Sequence, residues 1–173
     1  ALLAGGCSLD GLLGDEKPAS QDAAARPSAE RCGQVLTAPT GTPDYSAVTV
    51  FLGDGSASGY TRQNAKSRQD WAGALAPQLP GNGGDLVAVG VFGGAVDWKF
   101  QKVTAGKSTD ANRTNNDLTD ATKCLTADLS DALAAPATKP ETDVLRALAE
   151  GAEYVRARSG KKYIYLATDG LST

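Results

Sequence analysis

An apolar run that ends abruptly in a polar turn is the feature of this chain that most constrains its fold. The run is Val48–Leu52, and the turn that follows, Gly53–Ser58, has the sequence Gly-Asp-Gly-Ser-Ala-Ser. A continuous apolar run of this length is typical of a strand buried on both faces. Because Asp54, Ser56 and Ser58 are spaced two apart, their side chains can converge on one point in an extended turn. A carboxylate and two hydroxyls are hard oxygen donors, the kind that suit Mg²⁺ or Ca²⁺.

Two later segments place this turn in a wider pattern. Taken alone, a short Asp/Ser/Gly run is also ordinary turn chemistry. However, Tyr163–Gly170 is a second apolar run that ends in an Asp-Gly pair, and Thr142 stands at the mouth of a predicted helix. Each has a simpler alternative, since Thr142 could be a plain helix N-cap and Asp169 a plain turn residue.

Together, these side chains resemble the metal-ion-dependent adhesion site of the von Willebrand factor type A (vWA) family. The resemblance covers roughly residues 47–173, and its three parts occur in the family's order and at similar separations. It implies that the two serine hydroxyls bind the metal directly, that the threonine binds it directly or through water, and that both carboxylates act mostly through water. The implied metal-site residues are Asp54, Ser56, Ser58, Thr142 and Asp169.

The resemblance also implies a cofactor and a class of partner. The cofactor would be Mg²⁺, with Mn²⁺ or Ca²⁺ as alternatives. Neutral hydroxyls next to the ion leave its charge poorly neutralised, so an open coordination position attracts a Glu or Asp carboxylate from a partner protein. This is adhesion without bond breaking, and we expect no enzymatic activity. One departure is Lys139-Pro140-Glu141, where relatives often have small glycines, so that Glu141 or Asp143 could alter the ligand preference.

The remaining apolar pattern predicts how the strands are arranged. Residues 85–92 are a further continuous apolar run, between the two described above. Residues 96–101 alternate after a glycine turn, as in a half-exposed antiparallel edge strand. If the strand at 163–167 lies on the other side of the first strand, the winding reverses there, at the kind of point where open α/β sheets bind ligands. We therefore expect an α/β fold with a doubly wound, mostly parallel sheet and one antiparallel edge strand, of the vWA or Rossmann-like type.

Helices are predicted between these strands. Asp120, Asp128 and Asp131 are expected on the solvent side of the second helix, and Trp71 in the core beneath the first. The helices are predicted over 62–75, 117–133 and 142–158, with a loop over 104–116. The predicted core stripe of the third helix is Leu145, Leu148, Ala149, Ala152 and Val155.

The N-terminal residues predict a membrane anchor. In residues 1–7, leucines and small residues precede Cys7, which resembles the end of a bacterial lipoprotein signal peptide. Ala4 stands where that family prefers a larger aliphatic residue, and the alternative is an apolar terminus with a free thiol. Residues 8–46 are predicted to be a flexible tether and lead-in because they are mostly polar. Residues 47–173 would then be the vWA-type domain, incomplete at its C-terminal end because a helix should follow the last strand.

Charge and cysteine usage narrow the function further. The net charge is −3, which gives no support for a nucleic-acid partner, and the chain contains no histidine that could act as a base or a metal ligand. Of the three cysteines, Cys32 and Cys124 are a possible disulfide pair, which would persist outside the cytoplasm. The alternative is two unrelated thiols.

We therefore expect a lipid-anchored binding module on the extracytoplasmic side of the cell membrane, attached through Cys7. One alternative is a metal-free structural lipoprotein of the envelope. Another alternative is an esterase, since Phe51–Ser56 is similar to the Gly-Asp-Ser block of SGNH-type esterases, with Ser56 as the nucleophile. Gly55 interrupts that block, and the chain lacks the histidine base that this chemistry needs.

Overall fold

The computed structural model describes residues 26–41, 44–57, 83–106 and 109–168, together with Lys66, Ser67, Asp70 and Gly73. These four residues are helical, and the rest of the helix predicted over 62–75, including Trp71, lies outside the described residues. The elements in chain order are α1 (Ala29–Val35), β1 (Leu36–Thr37), β2 (Ala47–Asp54), β3 (Leu86–Phe92), β4 (Val96–Thr104), α2 (Ala111–Ala134), α3 (Val144–Arg156) and β5 (Lys161–Ala167).

The five strands form one sheet in the order β1-β4-β3-β2-β5. The strand β2 pairs in parallel with both β3 and β5, whereas β4 is antiparallel to β3 and to the two-residue β1. Because β3 and β5 lie on opposite sides of β2, the winding of the sheet reverses at β2. The predicted α/β fold, with parallel central strands and an antiparallel edge, is confirmed.

Helices cover both faces of the sheet, which explains why the central strands are apolar at consecutive positions. On one face, Phe51 and Val89 belong to a core with α1 and α2 that includes Leu125. On the other face, Val50 and Leu52 belong to a second core with α3. Every residue of β3 is buried, as the continuous run predicted.

The helix α2 begins earlier than predicted. Residues 111–116 are helical, so the prediction of a loop over 104–116 is wrong for them. The cause is a cap, since Asp110 accepts hydrogen bonds from the backbone N–H groups of Asn112 (2.9 Å) and Arg113 (3.3 Å). These bonds satisfy donors that have no partner within the helix, and they outweigh the polar composition of the first turns.

The helix α3 presents a different face to the sheet from the one predicted. Its buried residues are Ala147, Gly151 and Val155, whereas Leu145 is 81% exposed. At Gly151 a Cβ atom would lie 3.0 Å from Cδ1 of Leu52, so the helix approaches the sheet through its smallest side chains. Of the predicted stripe, Leu145, Leu148, Ala149 and Ala152 are exposed.

Part of the predicted lead-in is structured and fastened to α2. Ser28 caps α1. Arg31, which lies in α1, pairs with Asp117 (2.6 Å) and Asp120 (2.7 Å) of α2. A disulfide joins Cys32 to Cys124, the pair expected from the sequence, with 5.7 Å between their Cα atoms.

The aspartates predicted to lie on the solvent side of α2 therefore have partners. Arg31 pairs with Asp120, and Arg26 pairs with both Asp128 and Asp131. No helix among the described residues is long and apolar enough to cross a membrane.

Candidate metal centre

Three loops meet at the carboxyl edge of the sheet, where β2, β3 and β5 end. The loop after β2 is tied to β3 because Gly55 N–H donates to the carbonyl of Phe92 (2.9 Å). It is tied to the loop between α2 and α3 because Gly55 accepts from Ala137 N–H (2.8 Å) and Ala57 N–H donates to Pro140 (3.2 Å). These backbone bonds bring segments that are far apart in sequence to one place.

Asp54 is the central side chain of this edge, and it is fully buried. Its Oδ1 atom accepts hydrogen bonds from the backbone N–H (3.0 Å) and the hydroxyl (2.6 Å) of Ser56. Its Oδ2 atom accepts from the hydroxyl of Thr168 (2.8 Å). A serine hydroxyl that donates in this way keeps lone pairs on its oxygen, which a cation ligand needs.

Thr142 lies at the same edge, two residues before α3. It is 2% exposed, and the helix cap is Asp143, which accepts from the N–H of Arg146 (2.9 Å). The simple explanation of Thr142 as an N-cap is therefore wrong. Its loop is held against the end of β3 because Asp143 N–H donates to the carbonyl of Gly93 (3.2 Å).

Of the five predicted metal-site residues, the structure brings Asp54, Ser56 and Thr142 to one edge of the sheet. Ser58 and Asp169 lie outside the described residues, as does Cys7. The described donor set, one carboxylate and two hydroxyls, has the chemistry that Mg²⁺ or Ca²⁺ requires. Within the described ranges no three His, Cys, Asp or Glu side chains are grouped to hold a metal, so a centre here depends on its hydroxyls.

A depression of about 510 Å³ lies beside Thr142. Its charged side chains are one cation, Lys139, and two carboxylates, Glu141 and Asp143, and the exposed Leu145 stands at its border. Its lining residues are Gly94, Lys139, Glu141, Thr142, Asp143, Val144 and Leu145.

The start of β4, which follows Gly94, is held by charged partners. Lys99 hydrogen-bonds Asp97 and lowers the pKa of that carboxyl, which also accepts from the hydroxyl of Thr138 (3.2 Å). Glu150 of α3 accepts from the backbone N–H of Val96 (3.1 Å). These contacts fix the start of β4 against α3 and against the loop that leads to Thr142.

Sequence reasoning missed Thr168. The sequence analysis selected Asp169, the acid after the last apolar run, and did not consider Thr168, the residue before it. The available signal was position, because β5 pairs with β2 in parallel and Ala167 lies opposite Gly53. One residue further along both strands, Thr168 is level with Asp54.

Comparisons with known proteins give one similar structure. No family model and no curated protein matches the chain. Among solved structures, the chain is similar to the crystal structure of the ArnB paralog VWA2 from Sulfolobus acidocaldarius, with 13% sequence identity and a TM-score of 0.45. The match covers 80% of this chain and 31% of that one, so the chain spans about a third of that protein's length. No residue role is carried over from it.

Proposed function

We propose that this chain is a binding module that uses a divalent cation to engage a Glu or Asp carboxylate of a partner protein. The cation is Mg²⁺, or Mn²⁺ or Ca²⁺ in its place. Asp54, Ser56 and Thr142 hold it at the carboxyl edge of the sheet, together with Ser58 and Asp169. The observation that carries the proposal is the buried Asp54 carboxylate, which accepts a hydrogen bond from the Ser56 hydroxyl at 2.6 Å and so fixes the orientation of that oxygen.

The chemistry of the donors explains why such a centre would recognise acids. A carboxylate that accepts hydrogen bonds from serine and threonine hydroxyls is engaged by them, so Asp54 would act on the cation mostly through water and by orienting the Ser56 hydroxyl. Neutral oxygens leave most of the ion's charge unneutralised, so a carboxylate from outside is the favoured extra ligand. The depression beside Thr142 provides space for the residues that flank such a carboxylate.

Binding accounts for more of the structure than ester hydrolysis does. As a nucleophile, Ser56 would need a base that removes its proton and returns it to the leaving group, and histidine usually does this. The chain has no histidine, and the Ser56 hydroxyl donates to Asp54 at 2.6 Å. Hydrolysis also gives Thr142 no role, although it is held at the same edge.

Metal-dependent stability is the direct test. For the full natural chain, millimolar Mg²⁺, Mn²⁺ or Ca²⁺ is expected to raise the free energy of unfolding relative to excess EDTA, because the ion binds only the folded state. The gain is about 2.7 kcal/mol at a hundredfold excess over the dissociation constant. For a domain of this size that is roughly 5–10 °C in melting temperature, measurable by calorimetry.

The matched variants are Asp54→Ala and Asp44→Ala. Asp54 is buried at the proposed centre, whereas Asp44 is an exposed loop residue. We expect Asp54→Ala to lose the metal-induced shift and Asp44→Ala to keep it, each measured against its own EDTA baseline. A wild-type protein that responds to none of the three ions would favour the metal-free structural alternative.

We further propose that the module is attached to the outer face of the cell membrane through lipid on Cys7. The disulfide between Cys32 and Cys124 supports an oxidising compartment, where such bonds persist. In cells that express the full natural chain, an alkyne analogue of palmitate is expected to label the wild type and not Cys7→Ser. Equal labelling of both, or of neither, would contradict the anchor and leave the metal proposal unaffected.

A further inference from the structure

We infer that Thr168 is a positioning residue of the metal centre. By binding Oδ2 of Asp54, it fixes the carboxylate so that Oδ1 keeps its hydrogen bond from the Ser56 hydroxyl. The inference rests on the proposed function, because it assigns a role within the same centre. It adds a hydroxyl that the five predicted metal-site residues do not include.

The geometry places Thr168 against one particular oxygen. Its hydroxyl donates to Oδ2 of Asp54 at 2.8 Å, while Oδ1 accepts from the N–H and hydroxyl of Ser56 at 3.0 and 2.6 Å. The donors therefore hold the carboxylate from both ends. One comes from the end of β5 and two come from the turn after β2.

Hydrogen bonds to both carboxylate oxygens matter because rotation about the Cβ–Cγ bond of an aspartate meets little resistance. Rotation about its Cβ–Cγ bond has broad minima, so a carboxylate held at one end alone can turn. A turned Asp54 would weaken its bond to the Ser56 hydroxyl and release the orientation of that oxygen. Loss of a hydrogen bond that orients a metal-binding residue typically weakens metal affinity about 10- to 100-fold.

The bond is not needed to attach β5 to the sheet. The strands β2 and β5 already pair in parallel from Ala47 to Gly53 on β2, and β5 also packs against α3. The Thr168 hydroxyl lies beyond the last of these pairs. Its contribution is therefore expected mainly in metal affinity.

The experiment measures Mn²⁺ affinity of the full natural chain by isothermal titration calorimetry. Thr168→Val keeps the branched shape and removes the hydroxyl, and it is expected to raise the Mn²⁺ dissociation constant about 10- to 100-fold. Thr168→Ser keeps the hydroxyl and is expected to restore affinity close to that of the wild type. Melting temperatures in EDTA are expected to be similar for the two variants, which a purely structural role would not produce.

Thr126→Val is the matched control, because Thr126 on α2 also donates its hydroxyl at 2.8 Å, to the backbone carbonyl of Thr122, and α2 contributes no residue to the proposed centre. We expect it to leave the Mn²⁺ dissociation constant unchanged. If Thr168→Val does not fold, Thr168→Ala replaces it with the same expected loss.

The outcomes separate the two proposals. Wild-type protein that binds no Mn²⁺ would overturn the proposed function, and this inference with it. Wild-type protein that binds Mn²⁺, with a variant lacking the Thr168 hydroxyl that binds it equally well, would overturn the inference alone. Equal losses for Thr168→Val and Thr168→Ser would also overturn it, because the hydroxyl would then not be the cause.

Discussion

Loss of the Cys32–Cys124 disulfide is expected to lower the free energy of unfolding by about 2–4 kcal/mol. The bond joins residues 92 apart in sequence, so it removes many conformations from the unfolded chain. The loop-entropy model gives about 4.7 kcal/mol for a loop of 100 residues, and measured effects are usually smaller. Cys124 is fully buried in the core between the sheet and α2, so the bond also fastens α1 to that core.

Urea denaturation in the presence and absence of a reductant measures this effect. The protein should carry Cys7→Ser in both cases, so that no third thiol can exchange with the pair. Adding Cys32→Ala and Cys124→Ala should reproduce the reduced midpoint and abolish any response to reductant. An unchanged midpoint on complete reduction would show that the bond adds nothing to stability.

Gly93→Ala is expected to cost about 3 kcal/mol, toward the upper end of the range for overpacking, and to weaken the metal response. A Cβ atom on Gly93 would lie 2.1 Å from the carbonyl oxygen of Lys139 and 2.9 Å from that of Glu141. Both neighbours are backbone atoms, so no side chain can rotate to relieve the clash. The loop that carries Thr142 must move away from the end of β3, which separates Thr142 from Asp54.

Chemical denaturation gives the stability loss, and calorimetry with and without Mn²⁺ gives the metal response. Gly33→Ala is the matched control, since Gly33 lies within α1 and a Cβ atom there would have no neighbour within 4 Å. Alanine is the better helix former by up to about 1 kcal/mol, so this variant should be as stable as the wild type or slightly more stable. Wild-type stability in Gly93→Ala would contradict the close approach of the two loops.

The sheet could be predicted because its signals are local. The strands β2, β3 and β5 contain apolar runs, and β4 alternates after a glycine turn, so each was recognised as a strand. The edge strand β5 is less buried than its apolar run indicates. The reversal of winding at β2 was a hypothesis of the sequence analysis, and the observed order, with β3 and β5 on opposite sides of β2, agrees with it. The local spacing of oxygen donors pointed to Asp54 and Ser56, the resemblance to a family motif added Thr142, and the structure brings all three to one edge.

The parts that were missed depend on contacts between distant residues. The face of α3 was misjudged because the larger side chains were expected inside, whereas close packing on Leu52 selects Gly151. The structured segment at residues 29–37 was hidden by its polar composition, because its partners lie on α2. Thr168 contacts Asp54 only because β5 lies beside β2, and no spacing along the sequence indicates this contact.

The attachment of α1 to α2 also determines how the fold responds to a mechanical load. The strand β1 contributes only two residues to the sheet, so a pull on the N-terminal side could unzip its hydrogen bonds one at a time. The force instead reaches the disulfide at Cys32 first, and this bond transmits it to the middle of the 24-residue helix α2. Tension from the N-terminal side is thus carried by a long helix packed on the sheet, and β1 lies outside that load path.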